Sequence, residues 1–387
     1  MKILHIAPNA PYNDYWGYQD NLLPKYHKKL GHDVTVITTN RMHKDGKIVE
    51  TDCSDYVLND GVRVIRLKRK KYFHRVITNL KSKLPAFAYI KDIKPDFIFF
   101  HGLISETIFD AIKYKKEMNP DCVIVQDNHM DYNNAGNCEK IIDKVFRAFH
   151  RRISKKSISY ISKVYGVTPW RKKFVEDYFK IPVEKTDVLI MGADDENVDF
   201  SNKQTTRKRI RGKNNIGDND FLIVTGGKID RKKKIDILMS AVIGIENIKL
   251  LVFGSVAEEL KEEFDKMIMK SRNIIYVGWV NADEVYDYFF AADLVLFPGG
   301  HSVMWEQACA AKVPCVFEKW DGMEHVDNGG NSDFVYPVTK ENLISKINEL
   351  HFTDKYFKMK TVAESDKTDV YLYSKIAEKS LECVLNK

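Results

Sequence analysis

The chain has 387 residues, 44% of them hydrophobic and 30% charged, which is the composition of a globular protein long enough for two domains. Neither a run of eighteen apolar residues nor a CxxC pair among the six cysteines occurs, so the sequence predicts no transmembrane helix, no disulfide framework and no zinc site. The net charge is +7, divided into +12 for residues 1–190 and −5 for residues 191–387, and this asymmetry indicates an anionic partner of the first half, such as a membrane surface, a nucleic acid or a phosphorylated substrate.

Short apolar segments alternate with longer helical patterns along the whole chain. The predicted strands are Lys2–Ala7, Val34–Thr38, Val62–Leu67, Phe97–Phe100, Val123–Gln126, Val164–Val167, Phe221–Thr225, Leu250–Phe253, Ile274–Val277, Leu294–Phe297 and Pro314–Phe317. Near-continuous apolar strands that alternate with helices are typical of parallel sheets covered on both faces. The sequence therefore predicts the α/β class, with two doubly wound, Rossmann-like parallel-sheet domains facing across a cleft. We expect the domains to span residues 1–190 and 191–368, and a final helix, residues 369–387, to pack back on the first domain.

The turn after the first strand contains Gly17, and the first helical pattern begins just after it. A glycine at this place lets the backbone approach a phosphate near the start of the helix. No GxGxxG follows the strand, so a dinucleotide site is not predicted. A phosphate-contacting turn and an ordinary strand–helix loop are both compatible with this segment.

Two segments of the first half, residues 68–84 and 141–156, combine an apolar stripe at helical spacing with many basic residues. This pattern is typical of a helix that lies on an anionic membrane. Two helices that cover the sheet and turn a solvated face outward give the same pattern, so both interpretations stand. Nucleic acid is the least favoured partner, because no aromatic platform is interleaved with the basic residues.

Polar residues follow two neighbouring predicted strands of the first half. His101 ends one of them, and Asp127, His129 and Asp131 follow the other. Alternate residues of an extended chain point to the same side, so we expect the last three to share one face. The sequence predicts a catalytic cluster that points into the cleft, and the alternative for any one histidine is a structural role.

In the second half, Gly227, Lys228 and Lys233 follow the strand that begins at Phe221. Two cations in a tight loop at the end of a strand can neutralise a diphosphate leaving group, whereas an ordinary solvated run of lysines is the alternative. The next two strands are each followed at once by glycine, and we expect their ends to open the same edge. The residues predicted to line it are Gly254, Trp279 and Val280, the last two beside a nucleotide base.

The segment from Leu294 to Phe317 has the pattern strand, Gly-Gly turn, helix, strand. Backbone N–H groups at the start of such a helix suit a phosphate, and these are predicted at Gly299, Gly300, Ser302 and Val303. Glu306, one to two turns into the helix, could accept from a pair of ribose hydroxyls. We therefore predict a nucleotide-sugar site. We expect residues 320–331 to contact sugar rather than metal.

These loops resemble those of retaining glycosyltransferases of the GT-B fold, most nearly family 4, and the resemblance covers nearly the whole chain. Gly227-Lys-Ile and Lys233 stand where the family has Gly-Arg-Leu and Lys-Gly. Pro298 to Glu306-Gln-Ala308, followed by Lys312-Val-Pro314, is similar to the family's Pro-Ser…Glu…Glu-Ala helix. The chain departs from the family in its shorter loop and in Gly299, which stands where the family keeps its first Glu. His301 and Ser302 are candidates for the work of that residue.

The resemblance implies roles for individual residues. Lys228 and Lys233 would hold the diphosphate, and Glu306 would hold the ribose. Gly17 would lie near the leaving phosphate, and His129 would contact the donor sugar. It also implies a retaining, metal-independent enzyme of the bacterial surface-polysaccharide type.

We expect a cytoplasmic glycosyltransferase, peripheral on the inner face of the plasma membrane, that needs no cofactor. It would move a hexosyl or N-acetylhexosaminyl group from a UDP- or GDP-sugar to a glycan or polyprenyl-linked acceptor. The residues expected to be catalytic are Asp127, His129, Lys228, Lys233 and His301. One alternative is a nucleotide-sugar epimerase that uses the carboxylates of the Asp127–Asp131 cluster. The other is a non-catalytic nucleotide-sugar-binding subunit, which the missing Glu favours.

Overall fold

The computed structural model describes residues 1–73, 75–135 and 141–385. The chain divides into two compact units: a first unit of Met1–Ile190 with Ile376–Lys387, and a second unit of Met191–Lys375. Each unit is built around its own sheet. Every predicted strand is present, with ends that shift by a few residues. The α/β class and the two parallel-sheet domains are therefore confirmed.

Most strands of the first unit join one sheet. Within the described part of this unit the strands are β1 (Lys2–Ala7), β2 (Asp33–Thr39), β3 (Arg41–Lys44), β4 (Lys47–Glu50), β5 (Ser54–Val57), β6 (Arg63–Leu67), β7 (Phe97–His101), β8 (Val123–Asn128), β9 (Lys163–Gly166) and β10 (Thr186–Val188). Their order in the sheet is β10-β9-β8-β7-β1-β2-β6-β5, while β3 and β4 form a separate antiparallel pair. Neighbours are parallel, except that β5 is antiparallel to β6.

Helices cover this sheet on both sides. In chain order they are α1 (Gln19–Lys29), α2 (Arg75–Lys81), α3 (Phe87–Ile93), α4 (Ile108–Glu117), α5 (Ile141–Ser157) and α6 (Pro169–Phe174). On β1, Leu4 and Ile6 lie on one face of the sheet and Ile3 and His5 on the other, and all four are 0% exposed. His5 is therefore a polar residue inside an otherwise apolar strand. The strand order reverses between β1 and β7, so the carboxyl end of β7, at His101, lies at a switch point.

The sheet of the second unit is wholly parallel. Its strands are β11 (Phe221–Ile229), β12 (Ile248–Val256), β13 (Ile274–Tyr276), β14 (Leu294–Phe297), β15 (Cys315–Glu318) and β16 (Ser332–Val335). Their order, β13-β12-β11-β14-β15-β16, is the 3-2-1-4-5-6 order of a Rossmann sheet. Its switch point therefore lies between β11 and β14.

Helices flank the second sheet and then lead back to the first unit. In chain order they are α7 (Lys203–Lys213), α8 (Ile235–Val242), α9 (Lys261–Lys270), α10 (Val285–Ala291), α11 (Met304–Ala310), α12 (Lys340–Leu350), α13 (Asp354–Ala363), α14 (Tyr373–Ser380) and α15 (Glu382–Leu385). The final segment does not begin as a helix at Asp369. A short 3-10 helix covers Asp366–Tyr371, and α14 begins two residues later, because Tyr373 N–H bonds to Ala193 O at 2.9 Å. Residues from Ile376 onward cluster with the first unit.

Candidate active site

Two turns meet at the switch point of the second unit. One is Asp230–Lys234, between β11 and α8, and the other, called the β14–α11 turn, is Pro298–Val303. Lys233 joins them, because its Nζ donates to the carbonyl of Gly300 and lies 3.3 Å from that of His301. Burial lowers the pKa of Lys233, although Asp230 opposes this effect. A small pocket between the turns is lined by Gly226, Lys233, Ile235, Phe297, Pro298, Gly299, Gly300 and Ser302.

Two glycines near this pocket, Gly254 and Gly299, have no room for a side chain. Gly227 and Gly254 have φ angles of 106° and 120°, which disfavour other residues. A Cβ on Gly254 would lie 1.8 Å from the carbonyl oxygen of Gly227, and one on Gly299 would lie 2.3 Å from that of Lys232. A glutamate, which the resembling family has at the place of Gly299, therefore does not fit on this backbone unless the backbone shifts. The N–H of Gly300 donates to Lys232 O at 3.1 Å, so it is not free to bind a phosphate.

Other predicted donor residues are placed differently from expectation. β11 pairs with β12 as far as Ile229, so Lys228 lies on the strand and not in the loop. Its side chain is 68% exposed and its Nζ is 3.4 Å from Asp230 Oδ2. Gly254 likewise lies inside β12 rather than after it. Trp279 is largely exposed, whereas the neighbouring residue, Val280, is buried.

Glu306 is held by two histidines. Its Oε1 is 2.8 Å from Nε2 of His301 and 2.7 Å from Nε2 of His325. It is the third residue of α11, hence in the first turn rather than farther along, and it is 0% exposed. Its Oε2 and Nδ1 of His325 are buried and have no hydrogen-bond partner in the part of the chain that is described. We call these three residues the His–Glu–His cluster.

The electrostatics of this cluster favour an ionised glutamate. Burial raises the pKa of Glu306, but His301 and then His325 outweigh burial, and the pKa falls to about 2. The carboxylate therefore remains charged in a place that water does not reach. The backbone of His325 is held by Tyr371, whose hydroxyl donates to the carbonyl oxygen of His325 with an O–O distance of 2.7 Å.

The same three side chains are of the types that bind divalent metals. Their separations of 2.7 and 2.8 Å are hydrogen-bond lengths, whereas two ligands bound to one tetrahedral zinc ion stand roughly 3.3 Å apart. The arrangement therefore fits an imidazole–carboxylate–imidazole clamp better than a metal centre.

In the first unit, three of the predicted residues meet at the ends of β7 and β8. Nδ1 of His101 is 2.8 Å from Asp127 Oδ2, and Nε2 of His129 is 3.5 Å from the same oxygen. Asp127 Oδ1 accepts the N–H of Gly102 at 2.8 Å. Asp127 is 0% exposed, whereas the His129 side chain is 45% exposed. Burial raises the pKa of Asp127, but His101 and then His129 lower it below its ordinary value.

Asp131 does not join this group. The strand ends at Asn128, so the alternation that was expected to bring Asp131 to the same face stops before it. Its Oδ1 instead accepts the N–H groups of Asn133 and Asn134, both at 3.0 Å. Its Oδ2 pairs with Arg171 at 3.2 Å. Asp131 is thus a turn-forming residue.

The turn after β1 is held by Arg66 of β6, a strand two places from β1 in the sheet. Arg66 donates to the carbonyl of Tyr12 and to the carboxylate of Asp14, both at 2.8 Å. Gly17 lies two residues before α1, and a Cβ there would meet nothing within 4 Å. Its phosphate role stays a prediction.

The two basic segments differ from each other. α2 covers only Arg75–Lys81, so the expected stripe over residues 68–84 is not one helix, and Leu84 is buried beyond its end. Phe73, Val76 and Ile77 are exposed. α5 is a helix as predicted; Ile153 is buried in the core of the first unit and Phe149 packs against that core, whereas Val145 is exposed. No helix within the described ranges is both long and apolar enough to cross a membrane.

Some residues that complete these clusters were not singled out from the sequence. His325 lies in the segment 320–331, for which only sugar contact was expected. A histidine in a glycine-rich loop that follows β15 is the signal that could have found it. His5 and His27 hydrogen-bond with each other, and the second ring nitrogen of His5 hydrogen-bonds with His101. A lone histidine among the apolar residues of β1 was the available signal.

Two sequence comparisons relate the chain to glycosyltransferases. Residues 220–351, which span β11 to α12, match the family model described as glycosyl transferases group 1. The chain is 23% identical over 360 residues to the uncharacterized glycosyltransferase MJ1607 of Methanocaldococcus jannaschii, covering 88% of this chain and 85% of that protein.

Solved structures share the fold of the whole chain. A glycosyltransferase from Rickettsia africae superposes with a TM-score of 0.71 at 16% identity, covering 100% of this chain and 99% of that one. Anabaena Alr3699/HepE, solved in complex with UDP, gives 0.68 at 15% identity and covers 100% of both chains. The resemblance to GT-B glycosyltransferases, including the fold, is therefore confirmed.

Proposed function

We propose that the protein is a glycosyltransferase that moves a sugar from a nucleotide diphosphate-sugar to a glycan acceptor. The glycosyl transferases group 1 match and the GT-B fold support the class of reaction. The observation that carries the donor assignment is the position of Lys233, a half-buried cation between two turns at the switch point of a Rossmann sheet. A half-buried cation beside a glycine-rich turn is suited to a diphosphate.

The donor is proposed to bind in the second unit. Lys233 would meet the charge that develops on the diphosphate as the sugar leaves, with Lys228 as a second, more exposed cation. The backbone N–H groups of Ser302 and Val303 would contact the same phosphates. Oε2 of Glu306, which has no partner in the described part of the chain, is proposed to accept from the ribose. Because Glu306 is 0% exposed, the β14–α11 turn would have to move aside when the donor binds. Trp279 is proposed to lie beside the base.

The first unit is proposed to bind the acceptor. A cavity of about 330 Å³ there is bounded mainly by aromatic and basic side chains, with one alanine and one aspartate: Tyr132, Ala135, Arg147, Arg151, Phe174, Asp177, Tyr178 and Lys180. Pockets that mix aromatic walls with a few charged groups are typical of specific ligand sites. His129 is proposed to contact the transferred sugar, with Asp127 setting its orientation. Retention of configuration and independence from metal follow from the resemblance and are proposed with it.

A matched pair of lysine variants tests the donor site. Lys233→Ala should lower sugar transfer at least about 100-fold, the scale of removing one charge-stabilising group from a transition state. Lys232→Ala removes a neighbouring exposed lysine and should leave transfer near its normal rate. Equal activities for the two variants would contradict the assignment. Circular dichroism and thermal unfolding would establish that both variants are folded.

The identity of the donor can be found with the wild-type protein. A thermal-shift panel of UDP, GDP, ADP and their hexose and N-acetylhexosamine derivatives should show stabilisation by one base, because a ligand at 100 times its Kd adds about 2.7 kcal/mol. Product analysis with the stabilising donor alone separates the alternatives. An epimerase would convert the donor without an acceptor, and a non-catalytic subunit would bind the donor without converting it.

Attachment to a membrane is proposed for the exposed apolar residues near α2. Phe73, Val76 and Ile77 are exposed beside the basic segment 68–71, and this combination favours an anionic surface. Phe73→Ser should reduce flotation with vesicles that contain anionic lipid and leave flotation with neutral vesicles unchanged. Flotation of both proteins to the same extent would refute a membrane role for these residues.

A further inference from the structure

A row of buried polar side chains crosses the first unit from α14 to the end of β8. Oγ of Ser380 lies 2.8 Å from Nε2 of His27, and Nδ1 of His27 lies 3.0 Å from Nε2 of His5. Nδ1 of His5 is 3.1 Å from Nε2 of His101, and Nδ1 of His101 is 2.8 Å from Oδ2 of Asp127. His101 is 8% exposed and the other four residues are 0% exposed. We call these five residues the histidine chain.

The backbone register explains how β1, β7 and β8 bring their members together. His5 pairs in register with Phe99, and His101 pairs with Asp127. His101 is two residues beyond Phe99, so it lies on the same face of the sheet as His5. α1 lies against β1 and β2 and contributes His27.

A count of hydrogens fixes the charge of the histidine chain. Its four contacts need one hydrogen each. An ionised Asp127 only accepts, and each neutral imidazole brings a single N–H, so three neutral histidines fill three contacts. The fourth needs either the hydroxyl hydrogen of Ser380 or one additional proton. The Ser380 hydroxyl donates to the carbonyl of Ala377 at 2.8 Å, which leaves the additional proton.

That proton belongs on His101. A fully buried carboxylate needs a nearby positive charge, and His101 is the member of the histidine chain that contacts Asp127. Burial lowers the pKa of His101, but the contact with Asp127 raises it above the ordinary value. Burial lowers the pKa of His5 and brings that of His27 to about 3, so both stay neutral. The other titratable groups that act on the histidine chain are Asp20, His32 and His129.

We propose that Ser380, His27 and His5 are positioning residues that hold His101 as an imidazolium. The imidazolium in turn fixes Asp127 as an ionised acceptor beside the more exposed His129. The effect on sugar transfer rests on the proposed function, whereas the charge of His101 can be measured without it. A segment near the C-terminus thereby helps to set the state of a site at the ends of β7 and β8.

The charge state is accessible to NMR on the full-length protein labelled with ¹⁵N-histidine. Long-range ¹H–¹⁵N spectra distinguish an imidazole with two N–H groups from either neutral tautomer. We expect one doubly protonated imidazole that persists above pH 6.5, the ordinary pKa of histidine, and that disappears in His101→Gln. Spectra in which every buried histidine is neutral between pH 6 and 8 would overturn the proposal.

Variants along the histidine chain test the count. His27→Phe leaves two imidazoles with two contacts to fill, so no additional proton is needed, and the deprotonation midpoint of His101 should fall by about one pH unit or more. His27→Gln keeps a donor and an acceptor and should restore most of the shift. His43→Gln, outside the histidine chain, should change nothing. An unchanged midpoint in His27→Phe would refute the role of His27.

Ser380→Ala gives an independent test if His27→Phe does not fold. Ser380→Ala removes the contact between Ser380 and His27, so three imidazoles then have three contacts to fill and no additional proton is needed. The imidazolium of His101 should therefore be lost at lower pH than in the wild type, and an unchanged midpoint would count against the mechanism.

Kinetics separate this inference from the proposed function. With a donor that the wild type uses, His27→Phe should change the pH profile of kcat while leaving KM for the donor within about twofold, and His27→Gln should recover the profile. An unaltered pH profile in a variant whose imidazolium is lost would refute the positioning role. If no donor supports transfer, the proposed function fails, and the NMR result still decides the charge of the histidine chain.

Discussion

His325 offers the sharpest test of the His–Glu–His cluster. His325→Leu removes one of the two N–H donors from Oε1 of Glu306. Because Glu306 is 0% exposed, water cannot replace the lost donor. A hydrogen bond to a charged group contributes about 1.5–3 kcal/mol, so we expect the free energy of unfolding at pH 7 to fall by that amount. His325→Gln keeps a donor and should lose about half as much or less.

The dependence on pH identifies the cause of that loss. The folded pKa of Glu306 is about 2, below its ordinary value of 4.5. The carboxylate therefore contributes stability fully above pH 4.5, and the contribution is lost as the pH falls towards 2. Losing one donor should raise the pKa of Glu306 by roughly one to two units. The acid loss of stability in His325→Leu should begin at correspondingly higher pH.

Urea unfolding at pH 7, 5 and 4, followed by tryptophan fluorescence, measures both effects. Trp305 is fully buried 5.3 Å from the ring of His301 and reports on this region. His351→Leu is the matched control, because His351 belongs to the same unit and packs on Phe221 instead. His351→Leu should change the free energy of unfolding at each pH by a similar amount, and the pH at which stability begins to fall should stay that of the wild type. The same acid dependence in His325→Leu and wild type would refute the clamp.

Three further changes have definite expected results. Gly254→Ala should cost at least about 2 kcal/mol, since its Cβ would lie 1.8 Å from Gly227 O and its φ is 120°; a neutral result in urea unfolding would show that β11 and β12 can separate. Asp293→Ala leaves the buried guanidinium of Arg211 without its carboxylate and should cost about 3–5 kcal/mol in the same assay; a loss under 1 kcal/mol would contradict a buried pair. Lys228→Ala should leave unfolding unchanged, because the side chain is 68% exposed, but weaken binding of the nucleotide diphosphate severalfold by calorimetry; unchanged affinity would remove Lys228 from the donor site.

The sheets could be predicted because their strands are buried on both faces. The residues from Phe221 to Val224 are all apolar, and a continuous apolar run of this length predicts a strand buried on both faces whatever packs against it. The ends were harder to predict. β11 and β12 continue through Gly227 and Gly254, residues that ordinarily indicate a turn. Here two glycines pair side by side, a long-range contact that neither local sequence reveals.

Features of the candidate site that depend on one short segment could be predicted from the sequence. Contacts between side chains that lie far apart along the chain could not. The position of Lys233 beside Gly300 follows from two turns that the strand pattern places at one edge. The burial of Glu306 depends on His325, nineteen residues away along the chain. The prediction that Asp131 shares a face with Asp127 and His129 was wrong, because side chains alternate between faces only within a strand. β8 ends three residues before Asp131.

The assignment of Ile376–Lys387 to the first unit has a consequence for synthesis on the ribosome. Ser380, the last member of the histidine chain, is made 190 residues after the body of that unit ends at Ile190. At 5–20 residues per second this is a delay of roughly 10–40 s. The second unit can fold during that time, and until Ser380 is made His27 lacks that hydrogen-bond partner. Fragments that end near Ile190 should therefore be less stable than the same unit in the full chain, and adding the C-terminal segment as a separate peptide should stabilise them.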